Sequence, residues 1–91
     1  MGRPKTNTGL PAQQAIRRGE RILANLDEAG ADFVRLDDTH AYLWYREELV
    51  NLYDHQDLIR FLEKHGYMRK RTENKMIIAA WIIFEALGRC A

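Results

Sequence analysis

Three histidines, one cysteine and two pairs of adjacent carboxylates are the residues of this chain whose types could do chemistry. His40, His55 and His65 show no His-x-x-x-His spacing for a metal, and Cys90 has neither a second cysteine nor an obvious base beside it. Asp37 with Asp38, and Glu47 with Glu48, resemble paired acid/base carboxylates only on paper. Adjacent residues of a helix or strand point apart, so neither pair converges on one substrate atom. No glycine-rich phosphate loop follows a strand, because "GRPKTNTG" lacks both the spacing and the strand. The expectation is no catalytic residue, no metal and no cofactor, with these side chains serving surfaces, turns and caps.

Charge distribution carries more information. The 91 residues sum to a net charge of only +1, yet the charges are segregated. Arg3, Lys5, Arg17, Arg18 and Arg21 against Glu20 give residues 1–21 a net charge of +4, and Arg69, Lys70, Arg71 and Lys75 against Glu73 give residues 69–75 a net charge of +3. Between them, Asp27, Glu28, Asp32, Asp37 and Asp38 against Arg35 give −4. A polarised surface of this kind steers a charged partner. The second basic cluster directly precedes a helix, whose first amides attract phosphate. Thr72 is suited to cap that helix, so Arg69, Lys70, Arg71, Thr72 and Lys75 form a candidate backbone-gripping set.

The elements that hold these residues follow from periodicity. Residues 1–10 are small, polar and broken by glycine and proline, which predicts a flexible basic arm; residues 11–91 form a single small domain. A first helix runs from Pro11 to Gly30 with Ile16, Ile22, Leu23 and Leu26 on one face, weakened at Gly19. Residues 33–45 read equally as a hairpin turning at "DDTH" or as a helix. "LVNLYD" at 49–54 fits a short strand, Asp54 caps a helix over "HQDLIRFLEKH", and Gly66 ends it. The last helix carries Met76, Ile77, Ile78, Trp81, Ile82, Ile83, Phe84 and Leu87 and has no polar face in its middle. That predicts a homodimer seam built on Ile77, Ile78, Trp81, Ile82 and Phe84. Its apolar run, Met76 to Phe84, is too short to cross a bilayer, and the polar start lacks a secretion signal's apolar core. With one cysteine, a reducing cytoplasm is the expected compartment.

Residues 49–88 resemble the ribbon-helix-helix family of DNA-binding proteins, with "LVNLYD" as strand, "HQDLIRFLEKH" as first helix, "GYMRKRTEN" as turn and "KMIIAAWIIFEALG" as second helix. The resemblance implies a mainly α fold, three to four helices with a short strand or hairpin, dimerising through a two-stranded ribbon in the major groove of double-stranded DNA. It implies that Asn51 and Tyr53 face the groove, Asn51 reading adenine, while Val50 and Leu52 face the core. "FVRLDD" offers an alternative strand register with Arg35 outward. "GRPK" resembles part of an AT-hook core, so Arg3 and Lys5 would support from the minor groove or as a plain basic tail.

The function expected on these grounds is a small dimeric DNA-binding regulator of the phage or plasmid type, a repressor or a replication or transfer accessory protein. The alternative is a phage-type adaptor or inhibitor that docks on a host protein through Tyr42, Trp44, Tyr45 and Tyr53, residue types that crowd interface centres.

Overall fold

The acidic segment after the first helix is a β-meander. In this computed structural model the backbone is described for residues 3–90 and the side chains for residues 12–90. The elements run α1 (Arg3–Glu28), β1 (Asp32–Asp37), β2 (His40–Tyr45), β3 (Glu48–Asn51), α2 (His55–Lys64) and α3 (Lys75–Arg89). The three strands pair antiparallel in the order β1-β2-β3, with Val34 opposite Tyr42 and Leu43 opposite Val50.

This corrects the expected fold class. The chain is an α+β protein of three helices and a three-stranded antiparallel sheet, not a mainly α ribbon-helix-helix dimer. The strand expected to form an intermolecular ribbon is β3, and it is hydrogen-bonded to β2 of its own chain. Residues 33–45, open between hairpin and helix, are a hairpin. Aromatic and β-branched residues favour the pleated surface, and Asp37 accepts hydrogen bonds from Thr39 N at 2.8 Å and Thr39 Oγ1 at 3.0 Å to close the turn.

Strand periodicity places the side chains. Ala41, Leu43, Tyr45, Val50 and Leu52 point inward and are buried, while Trp44, Leu49 and Asn51 face solvent. Helix α2 packs against β3, and α3 packs against β1, α2 and α1. Buried Ile22, Leu23 and Leu26 of α1 complete the core. Helix α1 ends at Gly30, whose φ of +88° suits glycine, with Ala31 N donating to Leu26 O. Asp54 caps α2 by accepting from Gln56 N and Asp57 N, and Gly66 at φ +79° reverses the chain after it.

Helix α1 starts at Arg3 rather than at Pro11. The side chains of the basic arm expected over residues 1–10, Arg3 and Lys5 included, lie outside the described residues.

Candidate functional site

Two segments fifty residues apart meet at one cleft. Along α1, Gln14, Arg17, Arg18, Arg21 and Asn25 recur at three- and four-residue intervals on the exposed side of the helix. Opposite them stands the loop between α2 and α3. Tyr67 N and Met68 N both donate to Leu62 O, at 2.8 and 3.2 Å, and the buried Met68 side chain pins the loop to the core. Next, Thr72 Oγ1 accepts from Arg69 N and Thr72 N donates to Arg69 O, both at 3.1 Å, closing a tight turn that displays Arg69, Lys70 and Arg71.

The result is an open cleft of about 610 Å³ lined by Arg18, Arg21, Ile22, Asn25, Tyr67, Arg69, Arg71 and Thr72. No carboxylate lines it. Four acids among the described residues are engaged elsewhere: Asp57 with Arg60, Glu48 with Lys64 and His65, Glu63 with Lys75, and Asp27 with Arg89. None of the four cleft arginines has an ion-pair partner among those residues. Guanidinium groups gathered in this way make a local positive field in a chain of nearly zero net charge, and their planar forks match carboxylate or phosphate oxygens. Arg18 and Arg21 of the first basic patch thus share one surface with Arg69 and Arg71 of the second.

A neighbouring hollow of about 250 Å³ runs from Gln14 and Arg18 to Thr72, Glu73 and Asn74 at the start of α3. The helix cap is Asn74, at φ +61° and without a side-chain capping bond; Thr72, expected in that role, serves the preceding turn. Lys75 is drawn away from the cleft onto Glu63, and Lys70 is exposed beside it without lining it.

The residues expected to read sequence are not brought to this site. Asn51 and Tyr53 precede α2 whereas Arg69 to Thr72 follow it, and ten helical residues span about 15 Å. Their groups are engaged locally: Asn51 Oδ1 accepts from Tyr53 N at 2.9 Å, and Tyr53 OH donates to Asp38 O at 3.0 Å while accepting from Arg35 at 3.3 Å. The expected dimer seam is also divided. Ile78 and Ile82 are buried in their own chain and Trp81 is half-buried, while Ile77 and Phe84 are exposed.

Comparison with family models, with curated proteins and with solved structures found no match.

The remaining titratable groups have local explanations. Asp37 is held down to about 2 by hydrogen bonds from His40 and Thr39. Glu48 is lowered mainly by its 2.8 Å contact with His65, with Lys64 adding to it. Cys90, expected to be exposed, is partly covered and its Sγ donates to Ala86 O at 3.3 Å; burial pushes its thiol up. Among the described residues no group of three or more His, Cys, Asp or Glu could hold a metal ion. No helix among them is long and apolar enough to cross a membrane. What the cleft can do chemically is hold an anion. Arg18, Arg21 and Asn25 were legible as a polar helix face, but not as the wall of a site, because that needs the position of residues 67–72.

Proposed function

We propose that the protein is a small cytoplasmic regulator that binds double-stranded DNA by its phosphate backbone, with α1 laid along the duplex and the 69–72 turn gripping beside it. The observation that carries this reading is the convergence of Arg18, Arg21, Arg69 and Arg71, from two distant segments, on one cleft that no acid lines. Phosphate contacts dominate affinity for nucleic acid, and arginine is the side chain best shaped to make them. The polar stripe of α1 from Gln14 to Asn25 extends over about 17 Å, comparable with half a turn of duplex. Gln14 and Asn25 on the same stripe carry amides of the type that read adenine edges. The protein is a binder, not an enzyme, on this reading.

The test is fluorescence anisotropy on a duplex library across a salt series. Four phosphate contacts give a slope of log K against log salt of about −3.5. Absence of binding at low salt removes the proposal.

A second reading, docking on a host protein, is favoured by one observation: the solvent face of the sheet exposes Val34, Trp44 and Leu49 together. Apolar side chains grouped on a surface favour protein contact. Recovery of one host protein in a pull-down, with no duplex binding, would support it.

A further inference from the structure

Strand β1 is a sheet edge, and the ladder geometry fixes which of its backbone groups are unpaired. The β2–β3 hairpin turns through two residues, Arg46 and Glu47, and closes at Tyr45 opposite Glu48. In an antiparallel ladder, hydrogen-bonded and non-hydrogen-bonded pairs alternate, and the closing pair of a two-residue hairpin is hydrogen-bonded. Tyr45 and Leu43 therefore turn their amides and carbonyls toward β3, as the Leu52 N to Ala41 O bond of 2.9 Å continues, and Tyr42 and Trp44 turn theirs toward β1. The β1–β2 turn closes at Asp37 opposite His40 and gives the same alternation. Asp32 and Val34 of β1 are thus consumed by β2, which leaves the N–H and C=O of Phe33 and Arg35 aimed outward.

We propose that a second copy of this chain docks on that edge by antiparallel pairing of β1 with β1, on a two-fold axis through Val34, making a continuous six-stranded sheet. Only registers that put a residue opposite one of equal parity keep side chains on matching faces. With the axis at Val34, Phe33 lies opposite Arg35 of the second copy and the reverse, so both open residues exchange their two backbone bonds with each other. In that register Asp32 meets Leu36, at the bulge where regular pairing ends, and no like charges stand directly opposite within Phe33 to Arg35. An axis at Arg35 would set two arginines face to face and would run through the bulge between Arg35 and Asp37.

Apolar side chains stand on both sides of this edge. Val34 and Leu36, 43% and 67% exposed, border it, and on the helix side Arg35 shares a groove of about 430 Å³ with Phe84, Glu85, Leu87, Gly88 and Arg89. Phe84, at 72% the most exposed large apolar residue described, stands in that groove. The edge carries no lysine or proline, and its charged residues Asp32 and Asp37 and its bulge flank the three residues that would pair, Phe33 to Arg35. The interface is separate from the arginine cleft, so its existence does not depend on nucleic-acid binding.

The experiment is sedimentation of the full chain at up to roughly 100 µM, with two variants. Wild type should run at twice its 10.7 kDa mass, and Val34→Lys, which opposes two charges across the axis on an exposed position, should weaken dimerisation at least tenfold. In a Cys90→Ser background, Val34→Cys should form an intermolecular disulfide with oxidised glutathione, since facing Cα atoms of a non-hydrogen-bonded pair lie about 4.5 Å apart, within disulfide reach. A monomer at the highest concentration overturns the proposal, and so does a dimer that neither crosslinks at position 34 nor responds to Val34→Lys. If Val34→Lys does not fold, the crosslink decides alone.

Discussion

Gly19 of α1 lies so close to Trp81 of α3 that a Cβ built on it would come within 3.0 Å of the ring atom Cε3. Glycine inside a helix costs about 1 kcal/mol relative to alanine, and here it permits a helix–helix approach that any side chain would push apart. Ile82 Cγ1 and Ile78 O lie 3.5 and 3.7 Å from the same Cβ, so it is hemmed in on more than one side. The neighbours of Gly19 in sequence, Arg18 and Arg21, owe their position on the cleft to this packing. Gly19→Val should destabilise the protein by about 2 kcal/mol in urea denaturation and shift Trp81 fluorescence, since overpacking of a tight contact costs that order. An unchanged denaturation midpoint would show that α1 is not seated on α3 as described.

The β2–β3 hairpin stores strain that a single substitution relieves. Arg46 and Glu47 hold φ values of +47° and +68°, the left-handed pair a two-residue turn needs, with neither glycine nor asparagine present. A residue with a Cβ in that region costs about 1 kcal/mol. Glu47→Gly should therefore raise stability by about 0.5–1 kcal/mol, while Glu47→Ala should not. Urea midpoints of the two variants separate relief of backbone strain from loss of the Glu47 carboxylate.

That turn also marks where the sequence stopped being legible. Asp54 as a cap, Gly30 and Gly66 as stops, and the inward period of Val50 and Leu52 are local consequences of residue type, and each is found in the structure. The hairpin over 33–45 was undecidable locally, because its turn at Asp38 and Thr39 lacks the Asn-Gly or Asp-Gly signal and strand pairing is a non-local gain. Once that hairpin exists, β3 must join it, and the two-stranded ribbon is lost. The basic turn was visible as charge. Its partner wall on α1 was visible as a helix face, and only the packing of Met68 and Trp81 brings the two together.

Tyr67 links the cleft to the core and should titrate late. Burial, then its hydrogen bond with the Tyr45 hydroxyl at 3.1 Å, pushes its phenol up to about 12. Because the folded value is raised above the unfolded one near 10, the neutral phenol's contribution to stability is complete below about pH 10 and is lost as pH rises through about 12. Ultraviolet titration should show a late component that Tyr67→Phe removes. Tyr67→Phe leaves the Tyr45 hydroxyl without its partner, at a cost of about 1 kcal/mol. A wild-type titration complete by about pH 11 would mean that this hydroxyl is solvated.

Arg18 and Arg71 approach the same cleft from α1 and from the loop, so their variants report on one site from two independent elements. If each holds a phosphate, Arg18→Ala and Arg71→Ala should each reduce the magnitude of the salt slope by about one and weaken every duplex to a similar degree. Arg60→Ala removes the same charge from α2, outside the cleft and paired with Asp57, and should leave the slope unchanged. Equal slopes for all three variants would assign the affinity to net charge instead of to the cleft. Asn25→Ala provides the complementary reading: it removes an amide and no charge, so a change in sequence preference at constant slope would put α1 in a groove of the duplex. Loss of slope with Arg71→Ala but not with Arg18→Ala would leave the loop as the phosphate grip and take α1 off the DNA.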